Sequence, residues 1–163
     1  MKRVLSIAVP LVGILVLAAA VSALAAGGDG GGSSRGSGSG SGKTLTVVEH
    51  ATTDTTTDTG AAGDSVGDVL TFANEVFNAA DTAKVGTDQG YCIRVVVGTS
   101  YECNWTTILP GGQIVVEGPF LDAANSTLAI TGGTGRYRGA RGTMDLRSLA
   151  GGTKFAFTFH IKG

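Results

Sequence analysis

The stretch GYCIRVVVGTSYECNWTTILPGGQIVVEGPFL, residues 90–121, decides the fold. It holds three runs rich in β-branched and aromatic residues, 91–97, 101–109 and 113–120, parted by Gly98-Thr99-Ser100 and by Pro110-Gly111-Gly112. Such runs bounded by Gly, Pro and Ser read as strands, and connections this short join antiparallel neighbours. Working outward, similar runs occur at 45–51 and 69–77 upstream and at 127–131, 142–149 and 153–161 downstream, with turn residues at 122–125 and 150–152. No window sustains an apolar period near 3.6, so the domain is predicted to be all-β. Closing eight short antiparallel strands into a barrel leaves no unpaired edge, and such a barrel holds packed side chains or one small ligand. Tyr91, Ile93, Val95 and Val97 are apolar opposite Cys92 and Val96, so the outer face of this strand is expected to need cover from a neighbouring subunit.

The ends of the chain read differently. Met1, Lys2 and Arg3 precede an uncharged apolar run from Val4 to Val21, and Ala23-Leu24-Ala25 supplies the small residues of a cleavage site. Residues 1–26 are therefore expected to be a secretory signal; left uncleaved, the run is long enough to anchor the protein in a membrane. Residues 27–42 are Gly and Ser apart from Asp29 and Arg35, the composition of a flexible spacer, which leaves 43–163 as the barrel domain. A compact signal followed by such a spacer suggests a secreted bacterial protein. Without Lys2 and Arg3 the chain keeps 10 basic against 13 acidic residues and has no basic cluster, which argues against nucleic acid as a partner. In an oxidising compartment Cys92 and Cys103, which would face each other across a hairpin turning near Val97 and Gly98, are expected to form a disulfide.

Strand parity nominates the polar interior. Glu49 shares parity with Leu45, Val47 and Ala51, so a register that buries the apolar residues also buries this carboxyl. An unpaired carboxyl in an apolar barrel is suited to proton transfer, whereas a salt bridge to Arg94, on the parity of Cys92, would make it structural. Asn74 shares parity with Leu70, Phe72 and Val76 and is expected to reach the interior, where it could hold a water or a ligand oxygen. Phe72 and Tyr101 would be its walls, or simply barrel filling. The GxSxG strings at 32–36 and 63–67 lack the strand-to-helix elbow of a hydrolase, and the glycine-rich 132–142 segment lacks both the third glycine and the helix of a nucleotide loop. Its glycines suit tight turns at a barrel rim, where Arg136, Arg138 and Arg141 would be solvated. His50 and His160 have no metal-ligand spacing with the cysteines, so no metal or cofactor is expected.

Several separated motifs, taken in order, resemble the allene oxide cyclase family: VGDVLTFAN at 66–74, VGT at 85–87, GYC at 90–92, VEGPFL at 116–121, LAITGGTG at 128–135 and FHIKG at 159–163. The string ITGGTGRYRGARG, 130–142, also resembles the glycine-rich motif of dirigent proteins. The resemblance implies an eight-stranded calycin-like barrel, usually trimeric, whose apolar cavity binds a small molecule and guides a ring closure, isomerisation or radical coupling. It places the family's catalytic glutamate at Glu49 and an active-site cysteine at Cys92. It also implies two departures, since Ala51 stands where the family has an asparagine and Phe120 where it has a tyrosine. These remove two polar contacts and favour a different apolar substrate. A non-catalytic ligand-binding or cell-envelope module is the alternative.

Overall fold

The computed structural model describes residues 42–162. The expected signal segment and nearly all of the expected spacer lie outside the described residues. Nine strands follow one another: β1 (Lys43–His50), β2 (Thr55–Thr57), β3 (Val69–Asn78), β4 (Lys84–Val96), β5 (Ser100–Leu109), β6 (Gly112–Leu121), β7 (Ser126–Gly133), β8 (Arg141–Leu149) and β9 (Lys154–Lys162). Every pairing is antiparallel, in the order β1-β9-β8-β7-β6-β5-β4-β3-β2. A further pairing of Val47–His50 with Glu75–Asn78 joins β1 to β3 and closes the barrel. Eight strands make the wall, as the sequence predicted. The ninth, β2, continues the line of β1 along β3, where Thr55, Thr56 and Thr57 face Thr71, Leu70 and Val69.

The alternation that the sequence shows becomes an inside and an outside. Val76, Ile114, Val116, Met144, Phe157 and Phe159 are essentially inaccessible and fill the barrel interior, with Tyr137 packed against this core at one end. That end also explains the glycine-rich segment: a Cβ on Gly133 would collide with the carbonyl oxygens of Tyr137 and Gln113. Gly135, at φ +57°, begins a 3-10 turn that carries Tyr137 inward.

β4 is longer than the sequence indicates, because its first half contains Gly86 and Gly90, which read as turn residues. Gly90 occupies an inward position opposite Trp105, and a Cβ there would overlap the Trp105 backbone and side chain. The glycine thus permits close approach of β5 rather than making a turn.

Cys92 and Cys103 are register partners on β4 and β5, joined by a disulfide with Cα atoms 4.0 Å apart. The bridge closes a short loop of 11 residues' separation, which in the chain-entropy account contributes about 2–3 kcal/mol. The Cys92→Ala/Cys103→Ala protein is therefore expected to unfold at a melting temperature lower by roughly 10 °C, a drop of the size calorimetry resolves for a domain this small. An unchanged melting temperature would show the bridge to be incidental.

Arg94 corrects one alternative. It does not reach Glu49; its Nη1 donates to both oxygens of Asp122 at 2.9 and 2.7 Å, its Nε lies 2.6 Å from Asp64 Oδ1, and its guanidinium lies 3.6 Å from the Tyr101 ring centre. Two acids flank the cation, so it fastens the 58–67 loop and the 122–125 turn to the barrel end. The same loop is folded around Asp68, which accepts from Thr59 N, Ser65 N and Ser65 Oγ. Ser65, the serine of the second GxSxG string, is thereby engaged as a donor in a loop.

Candidate active site

Glu49, near the end of β1, is 5 % exposed and lies in register between Phe155 of β9 and Val76 of β3. Asn74 Nδ2 donates to Glu49 Oε1 at 2.8 Å and to Asp54 Oδ1 at 2.7 Å. The Asn74 carbonyl accepts from Thr52 N, Thr53 N and Thr53 Oγ1 at 2.9–3.0 Å. Both amide hydrogens and the carbonyl are thus engaged within the protein. Asn74 is a clamp that folds the 51–54 segment over the barrel and orients Glu49, and it has no donor left for a ligand oxygen. Ala51 contributes only a backbone bond, its N–H to Thr153 O at 3.1 Å.

The residue that sequence reading missed is Asp88. It is 1 % exposed, in register with Asn74 on one side and Thr107 on the other. Neither of its oxygens has a hydroxyl or cationic partner, and the only N–H acting on it is the Asn74 backbone amide. Its carboxyl interacts instead with that of Glu49. Two bare carboxylates cannot hydrogen-bond, so a contact between them requires a proton. Burial and the Glu49 charge push Asp88 up to about 9, while Glu49 is raised to about 7, chiefly by burial, against the lowering effect of the Asn74 hydrogen bond. Near neutrality the two carboxyls thus share a proton, and the pair as a whole is poised to gain or lose one. The sequence did carry a signal for Asp88: it shares the parity of Gly90, Cys92 and Arg94. The glycines around it concealed that the strand extends so far.

Glu49 opens on a chamber of about 50 Å³. Its walls are Leu70, Phe72, Trp105, Phe157, Phe120 and Phe155, together with Asp54, Leu146 and the disulfide. Phe72 stands edge-on to Trp105 at 6.1 Å between ring centres, and Phe157 tilts against Trp105 at 5.5 Å. Trp105 Nε1 and Thr107 Oγ1 are buried without partners, like the Asp88 oxygens. Among the predicted site residues, the structure brings Glu49, Phe72, Phe120, Cys92 and Cys103 to one chamber, with Asn74 behind Glu49. It places Arg94 and Tyr101 beside that chamber, in the Asp64–Asp122 clasp. Cys92 is disulfide-bonded and therefore not a free thiol. Among the described residues no cluster of His, Cys, Asp and Glu has the arrangement of a metal site.

A closed eight-stranded barrel with a buried acid pair, one member of which opens on an aromatic-walled chamber, is the class of protein that the fold and the site define. Residues 46–163 match the allene oxide cyclase family, and the chain belongs to it. Among solved structures it is similar to a pyocyanin demethylase, 27 % identical over 74 % of this chain and 100 % of that one, with a TM-score of 0.65. It also shares its fold with a pterocarpan synthase dirigent protein, 17 % identical, covering 75 % of this chain and 86 % of that one, with a TM-score of 0.57. The Diels-Alderase AbmU from Streptomyces koyangensis is 14 % identical, over 76 % and 70 % of the two chains, with a TM-score of 0.57.

Proposed function

We propose that this protein is an exported enzyme that binds an apolar small molecule in the barrel and moves a proton on it, guiding an isomerisation or ring closure. The observation that carries the reading is the buried Glu49–Asp88 pair, which has no compensating cation and of which Glu49 faces a chamber walled by aromatic rings. Structural carboxylates are normally held by cations or several N–H donors; an acid pair left to share a proton in an apolar pocket matches the requirements of general acid–base chemistry. In this reading Glu49 accepts the substrate proton while Asp88 and the Asn74 amide support its charge, and the reverse transfer returns a proton to a different atom. The aromatic walls limit the conformations of the bound molecule, so positioning supplies much of the rate.

Export is supported by the N-terminal sequence and by the Cys92–Cys103 bond, which persists in oxidising compartments. A trimer is supported by the family resemblance and by the outward Tyr91, Ile93 and Val95 of β4, which are 40–47 % exposed. The binding-only reading draws on the missing polar contacts at Ala51 and Phe120.

Native mass spectrometry of the protein from culture supernatant tests the assignment, followed by incubation with pyocyanin, the compound named for the structure of 27 % identity. A retained apolar molecule, or consumption of pyocyanin that Glu49→Gln abolishes, is the expected result. Ligand retention with equal turnover by wild type and Glu49→Gln would overturn the proton-transfer role, and an empty barrel that binds neither pyocyanin nor any co-purifying molecule would overturn the pocket itself.

A further inference from the structure

The chamber at Glu49 is too small for any substrate the fold could guide, since ligand pockets of this kind run to about 300–1,000 Å³. On its outer side, however, lies a second hollow of about 320 Å³, bounded by the 122–125 turn, Ser148 and Gly152. The two spaces share three lining residues, Phe120, Leu146 and Phe155. Phe120 and Phe155 meet edge-to-face with ring centres 5.8 Å apart. Both are only partly buried, and Phe155 is the register neighbour of Glu49.

We propose that Phe120 and Phe155, backed by Leu146, form a gate between the Glu49 chamber and the outer hollow. The ligand is a flat aromatic molecule that parts the two rings and occupies both spaces at once. The proposal rests on the reading of the barrel as a binding site and names what that site takes. Flatness follows from the walls: Phe72, Trp105 and Phe157 inside and the two gate rings at the neck present faces and edges that suit a planar guest. The inner end offers a donor as well. Trp105 Nε1–H is buried and unpaired in the chamber wall, so a ring nitrogen, phenol or ketone oxygen entering there would satisfy it.

The two sides of the gate are built differently. Phe120 sits beside Asp122, which the buried Arg94 holds with two hydrogen bonds, so that side is fixed. Phe155 is the second residue of β9, between Glu49 and Ser148 in register, and closely follows the β8–β9 turn, in which Ala150, Gly151 and Gly152 are successively left-handed, at φ +48°, +68° and +86°. An alanine in that region is strained, and the turn has few side chains to anchor it. Motion is therefore assigned to the Phe155 side.

Trp105 is the chain's single tryptophan and lines the inner chamber, so its fluorescence reports entry directly. Stopped-flow quenching by acridine, a flat three-ring probe, should be saturable in the wild type, while decanoate, a flexible chain, leaves the emission unchanged. Shrinking the gate in Phe155→Ala or in the gentler Phe155→Leu should speed acridine association, by about tenfold for alanine, because a conformational step that slows binding has been removed. Phe120→Leu should show a similar acceleration. Equal rates in the wild type and all three variants would overturn the gate. A saturable response to decanoate with none to acridine would overturn the ligand class. The Glu49→Gln protein separates this proposal from the catalytic one: if acridine enters it through the same gate while its turnover matches wild type, the proton-transfer role fails and the gate stands.

Discussion

Glu49→Gln is expected to lower turnover by about 10²–10⁴-fold, the range associated with loss of a positioned general acid or base, while leaving ligand affinity within a few-fold of wild type. Glutamine keeps the shape and can still accept from the Asn74 amide, so the fold and the clamp over residues 51–54 should survive. What disappears is the ability to take a proton from the bound molecule. The pH profile distinguishes this from general damage. With Glu49 raised to about 7 and Asp88 to about 9, wild-type activity should rise as the pair loses its first proton and fall again as it loses the second. The limbs belong to the pair rather than to either residue, so one substitution should alter both. An activity that is flat between pH 5 and 9, or a Glu49→Gln protein with wild-type turnover, would remove the pair from the chemistry. Asn74→Ala should show a smaller loss, since Asn74 acts through Glu49 and the 51–54 segment rather than on the ligand.

How much of this was readable beforehand depends on whether a residue's role follows from its own strand. The eight wall strands were legible because their turns carry Gly, Pro, Asn and Asp at the right spacing, and closure was favoured over a sandwich because it leaves no unpaired edge. Glu49, Asn74 and Phe72 were legible by parity alone. β2 was not, because Thr55, Thr56 and Thr57 carry no apolar residue on either face. The start of β4 was not, because Gly86 and Gly90 are there to let the opposite strand approach, a requirement visible only once Trp105 is in place. Parity tells which residues point inward but not which of them meet, since the meeting depends on the stagger of strands around the barrel. Arg94 shows this plainly. It shares the inward parity of Asp88, yet it lies farther along β4 and meets Asp64 and Asp122 at the barrel end instead of Glu49. Phe155 shows the same from the other side, because nothing in the 153–161 run singles it out until β9 is set against Glu49.

The acid pair also makes a prediction about stability that needs no substrate. Asp88→Asn should raise the melting temperature near pH 9 and change it little near pH 5. The ordinary values are 3.8 for Asp88 and 4.5 for Glu49, and both are raised by folding. The folded protein therefore holds more protons than the unfolded chain between about pH 4 and pH 9, and stability declines as the pH rises through that window. Below it both carboxyls are neutral in either state and their contribution is fully present; above it the folded barrel holds two buried charges with no cation beside them. Each group adds a slope of at most about 1.4 kcal/mol per pH unit. Asp68 and Asp81 act in the opposite sense, since backbone N–H donors hold the first below the usual range and Lys154 and His50 the second, so their contribution is lost as the pH falls toward the acid range. The wild type should thus be most stable in mildly acidic solution. Asparagine at 88 cannot ionise and can offer an N–H to Glu49, so the alkaline decline should flatten, with the remaining slope due to Glu49. Thermal unfolding of the wild type, Asp88→Asn and Glu49→Gln at pH 5, 7 and 9 measures this, and neither cysteine is free to exchange at the alkaline end. A wild type more stable at pH 9 than at pH 5, or an Asp88→Asn protein destabilised most at pH 9, would mean that Asp88 is buried as a stabilised anion and that the shared proton does not exist.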